Sequence, residues 1–215
     1  IALSALLETI ETIELDEKIR GHLKLAFAAI LYACSKMCRK GAGSWGEKNY
    51  VIRPNFLEKN VLHVFRKRGE ELIKGKKEVK KIKWQEGEDP RDVINGRANV
   101  CFLNTDARHL PLPDDSIDYI FTDPEYGPSI QYFELTFMPS AWLRIFNDWE
   151  NEIVVNPKQN KDAAKYRDML IDAFMECFRV LKPGKYMTVT FHSREIKYWN
   201  SLLYAISIAV FKYVD

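Results

Sequence analysis

Long hydrophobic runs are missing from this sequence: no apolar stretch in its 215 residues reaches the ~18 that a membrane-crossing helix needs. Also missing from Ile1 to Ile13 is the basic-then-apolar build, with its small-residue cleavage site, that marks a secretory leader. Cysteine is scarce. Cys34, Cys38, Cys101 and Cys177 show neither CxxC spacing nor the density of a disulfide framework, so they read as reduced thiols of a cytoplasmic protein. Cys34 and Cys38 stand four apart on a helical stretch with no second ligand pair, which favours a structural role over a metal site, and no metal is expected. His22, His63 and His109 form no metal-like grouping. An excess of one charge sign is absent too, with 32 basic and 30 acidic side chains giving a net charge of +2. Any contact with a polyanion must therefore be local.

What is present divides near residue 98. Residues 1–97 read as a helical region with a possible DNA-contacting role. From Leu15 to Arg39, Ile19, Leu23, Ala26, Phe27, Ile30, Leu31 and Cys34 recur with helical period. Gly41 to Gly46 breaks that helix, and a second is expected from Leu57 to about Gly75, continuing as a basic tract to Lys83. Residues 98–215 alternate instead between strand and helix. Short strands are expected at 99–103, 117–122, 186–191 and 210–214, and helices within 130–146, 163–181 and 196–209, with Lys182-Pro183-Gly184 stopping the second of these. Such alternation implies an α/β fold with a mostly parallel, doubly wound sheet, whose ligands sit beyond the carboxyl ends of the strands. Asp106, Asp123 and His192 would then share one rim.

The segment Thr122-Asp123-Pro124-Glu125-Tyr126-Gly127 carries the chemistry. An exocyclic base amine is a poor nucleophile because its lone pair is delocalised into the ring. Acceptors aimed at its N–H bonds draw the nitrogen toward tetrahedral geometry. Asp123 offers a carboxylate acceptor at a strand end, and the Pro124 carbonyl offers a second. A base lifted out of its stack also needs an aromatic face, worth ~1–3 kcal/mol, and Tyr126 is placed to give one. The bland alternative for Asp-Pro-x-Tyr alone is an ordinary strand-ending turn.

The stretch from Asn104 to Gly127, its continuation Pro128-Ser-Ile-Gln-Tyr-Phe-Glu-Leu135, and Arg179-Val-Leu-Lys-Pro-Gly-Lys-Tyr-Met-Thr-Val-Thr-Phe-His192 together resemble the amino-directed DNA methyltransferases, whose signature is Asp/Asn/Ser-Pro-Pro-Tyr. The resemblance covers residues 98–215, and less fully Pro54-Asn55-Phe56 and Glu58 to Val61. It implies a Rossmann-like class I methyltransferase sheet that transfers a methyl group from S-adenosylmethionine to a DNA base, adenine being favoured. It further implies that Asp123 and the Pro124 carbonyl hold the amine, that Tyr126 stacks on the flipped base, and that Asp106 and Ala107 contact the adenine of the cofactor, with Asp123 nearby. Tyr132, which like Phe133 would more often be helix core, sits close enough after the motif to rim the pocket. Related motifs also serve RNA and protein-amide substrates.

Two features depart from that pattern. Glu125 replaces the second proline, which fixes φ, and is expected to loosen the turn and to set a second carboxylate beside Asp123, where like charge raises a pKa. No glycine loop follows a first strand, since Gly41 to Gly46 follows a helix. The family's first two strands, which lie between those at 99–103 and 117–122, are also missing. A sheet without them exposes unpaired edges. The expectation is therefore an incomplete sheet, with a missing segment or a second polypeptide supplying the glycine loop. A catalytically impaired subunit that binds DNA or a partner chain is the alternative.

The run from Arg66 to Lys83 includes Arg66, Lys67, Lys74 and Lys77 and has two readings, one tracking DNA phosphates and one a solvated helix face eased by Glu70, Glu71 and Glu78. His192 is read as packing beside the site rather than as an acid or base.

Overall fold

The structure, a computed structural model, describes residues 1–38, 52, 54–146 and 148–214, and the Gly41–Gly46 loop lies outside them. Among the described residues the fold is mixed α/β, with seven α-helices and one two-stranded parallel sheet. The chain forms two compact units, one of Ile1–Lys83 with Phe133–Asn147, the other of Trp84–Tyr132 with Asp148–Asp215.

In the first unit, α1 (Ala2–Thr12) and α2 (Glu17–Ile30) join through a tight connection. The last carbonyls of a helix have no intrahelical partner, and here the Arg20 guanidinium supplies one, donating to the Ile10, Glu11 and Ile13 oxygens at 2.5, 3.0 and 3.1 Å. Asp16 caps α2 by accepting from the Lys18 and Ile19 amides. Leu7, Ile10, Phe27 and Leu31 form the core, with the Phe27 and Trp142 rings edge-to-face at 5.7 Å. Apolar spacing predicts one helix from Leu15 to Arg39, but the α-helix ends at Ile30 and turns follow. Helix α3 (Val61–Val79) starts later than the predicted Leu57 because Asn60 caps it, accepting from the His63 amide at 2.9 Å. Helix α5 (Tyr132–Leu143), which carries Pro139, completes this unit apart from its first residue.

In the second unit, a five-residue helix α4 (Pro90–Ile94) follows a capping box at Asp89. The strand expected at 99–103 does not form. Val100 makes only an isolated bridge to Glu86, because a short apolar run does not by itself decide between strand and loop. Strand β1 (Ile117–Thr122) runs parallel to β2 (Leu181–Val189). Helix α6 (Ala163–Val180) ends with its cap at Leu181, immediately before Lys182-Pro183-Gly184, and these three residues belong to β2. Leu181 already pairs with Ile117, the next four residues loop out with Gly184 at φ +73°, and regular pairing resumes at Tyr186 opposite Tyr119. Asp118 holds this bulge through Lys182 at 2.7 Å and Lys185 at 3.3 Å. Helix α7 (Ile196–Ile208) comes last. The strand expected at 210–214 is likewise absent, since no second strand lies beside it to take up its hydrogen bonds among the described residues.

The register sorts the two faces of the sheet. Met187 and Val189, opposite Ile120 and Thr122, pack on a core of Tyr166, Leu170 and Phe174 from α6 and Tyr198, Leu202 and Ala205 from α7. The other face presents Tyr119, Phe121 and Tyr186, each more than half exposed, with the Tyr119 hydroxyl donating to Thr188 at 2.5 Å. The sheet is thus covered on one side. No helix among the described residues is long and apolar enough to cross a membrane.

Candidate functional site

The site begins where β1 ends. The Thr190 amide donates to the Thr122 carbonyl at 3.0 Å, which extends the parallel pairing by one step and brings Asp123 alongside Thr190. The Tyr126 hydroxyl donates to Asp123 Oδ1 at 2.6 Å. This bond first, and one from the Thr190 side chain second, hold the Asp123 carboxyl below the usual carboxylate range. An exposed, ionised acceptor therefore stands at the carboxyl end of the strand. Around it, the Tyr126 ring lies edge-to-face with Phe191 at 5.2 Å and His192 at 6.3 Å, and Phe191 with Trp199 at 5.0 Å.

The turn behind Asp123 is held from below. The Tyr166 hydroxyl donates to the Glu125 carbonyl. That phenol is fully covered, and burial is the main cause of its pKa being pushed up to about 12. Gly127 has φ +70°, and a Cβ there would meet the Tyr198 ring at 2.9 Å, so the position admits only glycine without rearrangement. The Gly127 carbonyl accepts from the Val155 amide at 3.1 Å, and Gln131 bridges the Val155 carbonyl at 3.0 Å and the Asn156 side chain at 2.9 Å. The loosening expected from Glu125 is opposed by these anchors, of which the Tyr166 bond acts on Glu125's own backbone.

The two neighbouring carboxyls shift in opposite directions. Burial first, then the Glu152 charge, push the Glu125 carboxyl up to about 7, with Asp123 adding a smaller push and a hydrogen bond from Tyr132 opposing it. Asp123 shifts downward instead, because it is exposed and receives two hydrogen bonds. Tyr132, the first residue of α5, has its phenol pKa raised chiefly by the charge of Glu125. The structure thus brings Asp123, Glu125, Tyr126 and Tyr132 together, with Pro124 between the first two.

Asp106 is differently engaged. Arg108 Nε lies 2.9 and 3.1 Å from its two carboxylate oxygens, and Nη2 lies 2.5 Å from Oδ2 and 2.5 Å from Asn151 Oδ1. The hydrogen bonds from Arg108 are the main cause that holds the Asp106 carboxyl low. Ala107 beside it is exposed. Arg66, Lys67, Lys74 and Lys77 belong to the other compact unit, on α3.

Sequence reasoning does not find Tyr166, Tyr198, Glu152 or Lys161. The two tyrosines lie on apolar helix stripes, where they look like ordinary core. Lys161 is 4% exposed, and its ammonium donates to the carbonyls of Trp149 and, at 2.8 Å, Glu152, so it organises the 149–161 loop. Burial lowers its pKa. No spacing signal marks such a lysine. Among the described residues no group of three or more His, Cys, Asp or Glu side chains is arranged to hold a metal ion.

In fold and site, then, this is a mixed α/β protein with an acidic, aromatic-flanked turn at a strand end. No family model, curated protein or solved structure matches the chain.

Proposed function

We propose that the chain is the amine-holding part of a Rossmann-like methyltransferase that uses S-adenosylmethionine to methylate the exocyclic amine of a DNA base, adenine being favoured. The supporting observation is the ionised Asp123 carboxylate, presented at the end of a parallel strand with an aromatic side chain hydrogen-bonded to it. A base amine donates its N–H bonds to Asp123 and to the Pro124 carbonyl, which localises the nitrogen lone pair. Tyr126 and Tyr132 border the base.

The cofactor side is less complete. Asp106, which the resemblance assigns to the cofactor adenine, accepts from Arg108 at both carboxylate oxygens. These residues do not fit the cofactor by themselves. A glycine loop from a second polypeptide or another segment would have to provide the methionine contacts. The same Asp106–Arg108 pair, together with Glu125, favours as second reading a catalytically impaired subunit that binds DNA or a partner chain.

Tritium transfer from S-adenosylmethionine to DNA and to RNA, with calorimetry of cofactor binding, tests both readings. The expected result is transfer to DNA that is lost in Asp123→Ala and faster in Glu125→Pro. Equal rates for Glu125→Pro and the parent remove the idea that Glu125 restrains activity. Transfer that survives Asp123→Ala overturns the assignment of the amine acceptor. Cofactor binding that arises only with an added partner chain favours the split arrangement.

A further inference from the structure

The basic tract resolves into a face and a cleft. Ten basic and only three acidic residues lie between Lys59 and Lys83, against a net charge of +2 for the whole chain. Each of the three carboxylates is already matched. Glu70 lies 3.8 Å from Arg66, Glu71 lies 2.6 Å from Arg68, and Glu78 lies 2.6 Å from Lys81. Lys67, Lys74 and Lys77 are exposed and enter no ion pair with a described residue. With His63 they fall within roughly 80° of arc on α3 and span roughly 21 Å along its axis. That length is close to six base-pair steps at roughly 3.4 Å of strand rise. At the start of α3 the face borders a cleft of about 310 Å³ whose lining includes Ala33, Lys59, His63, Lys67, Arg68 and Glu71. Four of these six side chains carry nitrogen donors, and the one carboxylate faces Arg68.

A helix face that only needed solubility would not gather like charges. Lys76 and Lys80, and Lys77 and Lys81, stand four residues apart, a spacing at which like charges repel. Glu78 relieves the second pair at Lys81, 2.6 Å away, and Glu70 and Glu71 face Arg66 and Arg68. A row of anions spaced along a line would supply countercharge to Lys67, Lys74 and Lys77.

We infer that the Lys59–His63–Lys67 cleft, continued by Lys74 and Lys77, binds the phosphodiester backbone of duplex DNA. The choice of DNA among polyanions rests on the amine-methylation reading of Asp123, whereas the demand for a linear polyanion rests on α3 alone. Arg66, in a loose ion pair with Glu70, is a flanking contact. These contacts position the duplex and carry no sequence preference.

Fluorescence anisotropy of a short labelled duplex, titrated with the full chain at several salt concentrations, tests the inference. The parent should bind with an affinity that falls steeply with salt. Lys67→Glu/Lys74→Glu should weaken binding and lower the magnitude of the log–log salt slope by about two, at roughly 0.9 for each phosphate no longer neutralised. Lys67→Gln/Lys74→Gln should give a smaller loss with the same change of slope, and circular dichroism checks that both variants keep their helix content. Lys158→Glu/Lys165→Glu, exposed residues of the other unit that change net charge equally, should leave binding near the parent's. An equal loss in that control pair, or no loss at Lys67 and Lys74, overturns the proposal. Tighter binding of the same sequence as duplex RNA, of polyglutamate, or of vesicles rich in phosphatidylserine overturns the assignment to DNA. Failure of methyl transfer by a parent chain that still binds the duplex with the expected salt slope falls on the catalytic reading alone.

Discussion

Gly127 lies against the Tyr198 ring, the Glu125 carbonyl is held by a buried tyrosine, and Val155 and Gln131 tie down the rest of the turn. Helix α3, nineteen residues long, has no buried residue at all. The first region is a short acidic turn over-determined by packing and hydrogen bonds. The second is a long basic surface whose conformation depends on its cap, its local hydrogen bonds and a half-buried seam. The contrast is the one that the two proposed tasks would require. Holding one amine needs a carboxylate fixed to within a fraction of an ångström, whereas meeting a phosphate backbone needs charge in reach and little else.

Substitutions in the two regions should separate them by size of effect. The greatest loss is expected at the packed end of the turn: Tyr198→Ala removes the ring that Gly127 and Tyr166 rest on and should cost about 3–5 kcal/mol in urea unfolding. Next comes Gly127→Ala, where the positive φ alone costs about 1–2 kcal/mol and the Cβ must also displace the Tyr198 ring. A stability loss below about 0.5 kcal/mol, the least that such a misfit costs, would show that the turn relaxes as freely as the helix.

Glu125→Gln probes the turn through pH. The folded-state carboxyl, raised from 4.5 to about 7, keeps its proton where the unfolded chain has lost it, so stability falls as pH rises from about 4.5 to about 7. The glutamine variant lacks this slope. It should match the parent near pH 4 and exceed it by about 1–2 kcal/mol above pH 7, a figure reduced for the group's partial solvent access. The mildest change belongs to α3. Gly75 is a helical glycine with open space where a Cβ would go, and Gly75→Ala should raise stability by about 0.5–1 kcal/mol. A loss there would mean that α3 is packed more closely than its exposure indicates.

How much of the molecule is legible in the sequence varies with the physical signal. Helices α6 and α7 are, because Tyr166, Leu170 and Phe174, and Tyr198, Leu202 and Ala205, repeat at helical spacing against one core. Strand β1 is also legible, being bounded by turn residues on both sides. The stretch at 99–103 is not, since its apolar residues have no neighbouring strand to pair with beyond one bridge. Lys182-Pro183-Gly184 reads as a helix stop, and α6 does end just before it, but its place in the bulge of β2 is not legible. At the candidate site, Asp123 and Tyr126 stand out from the motif and Tyr132 from its nearness to it, and the structure brings the three together. Which of two nearby carboxyls holds its proton is not, because burial in the folded chain and charge from Glu152, 27 residues away, decide it.

The bulge between β1 and β2 has a consequence for alignment. In a parallel pair with one bare face, a slip of one residue would turn Met187 and Val189 out of the core and is heavily penalised. A slip of two keeps every side chain on its own face, so the core does not forbid it. The pinning falls to the looped-out residues and to Asp118, which grips Lys182 and Lys185 on either side of the loop. Asp123 faces Thr190 only in the observed register. The aim of the acceptor is therefore set five residues upstream, at the opposite end of the strand, like a sight zeroed at the stock.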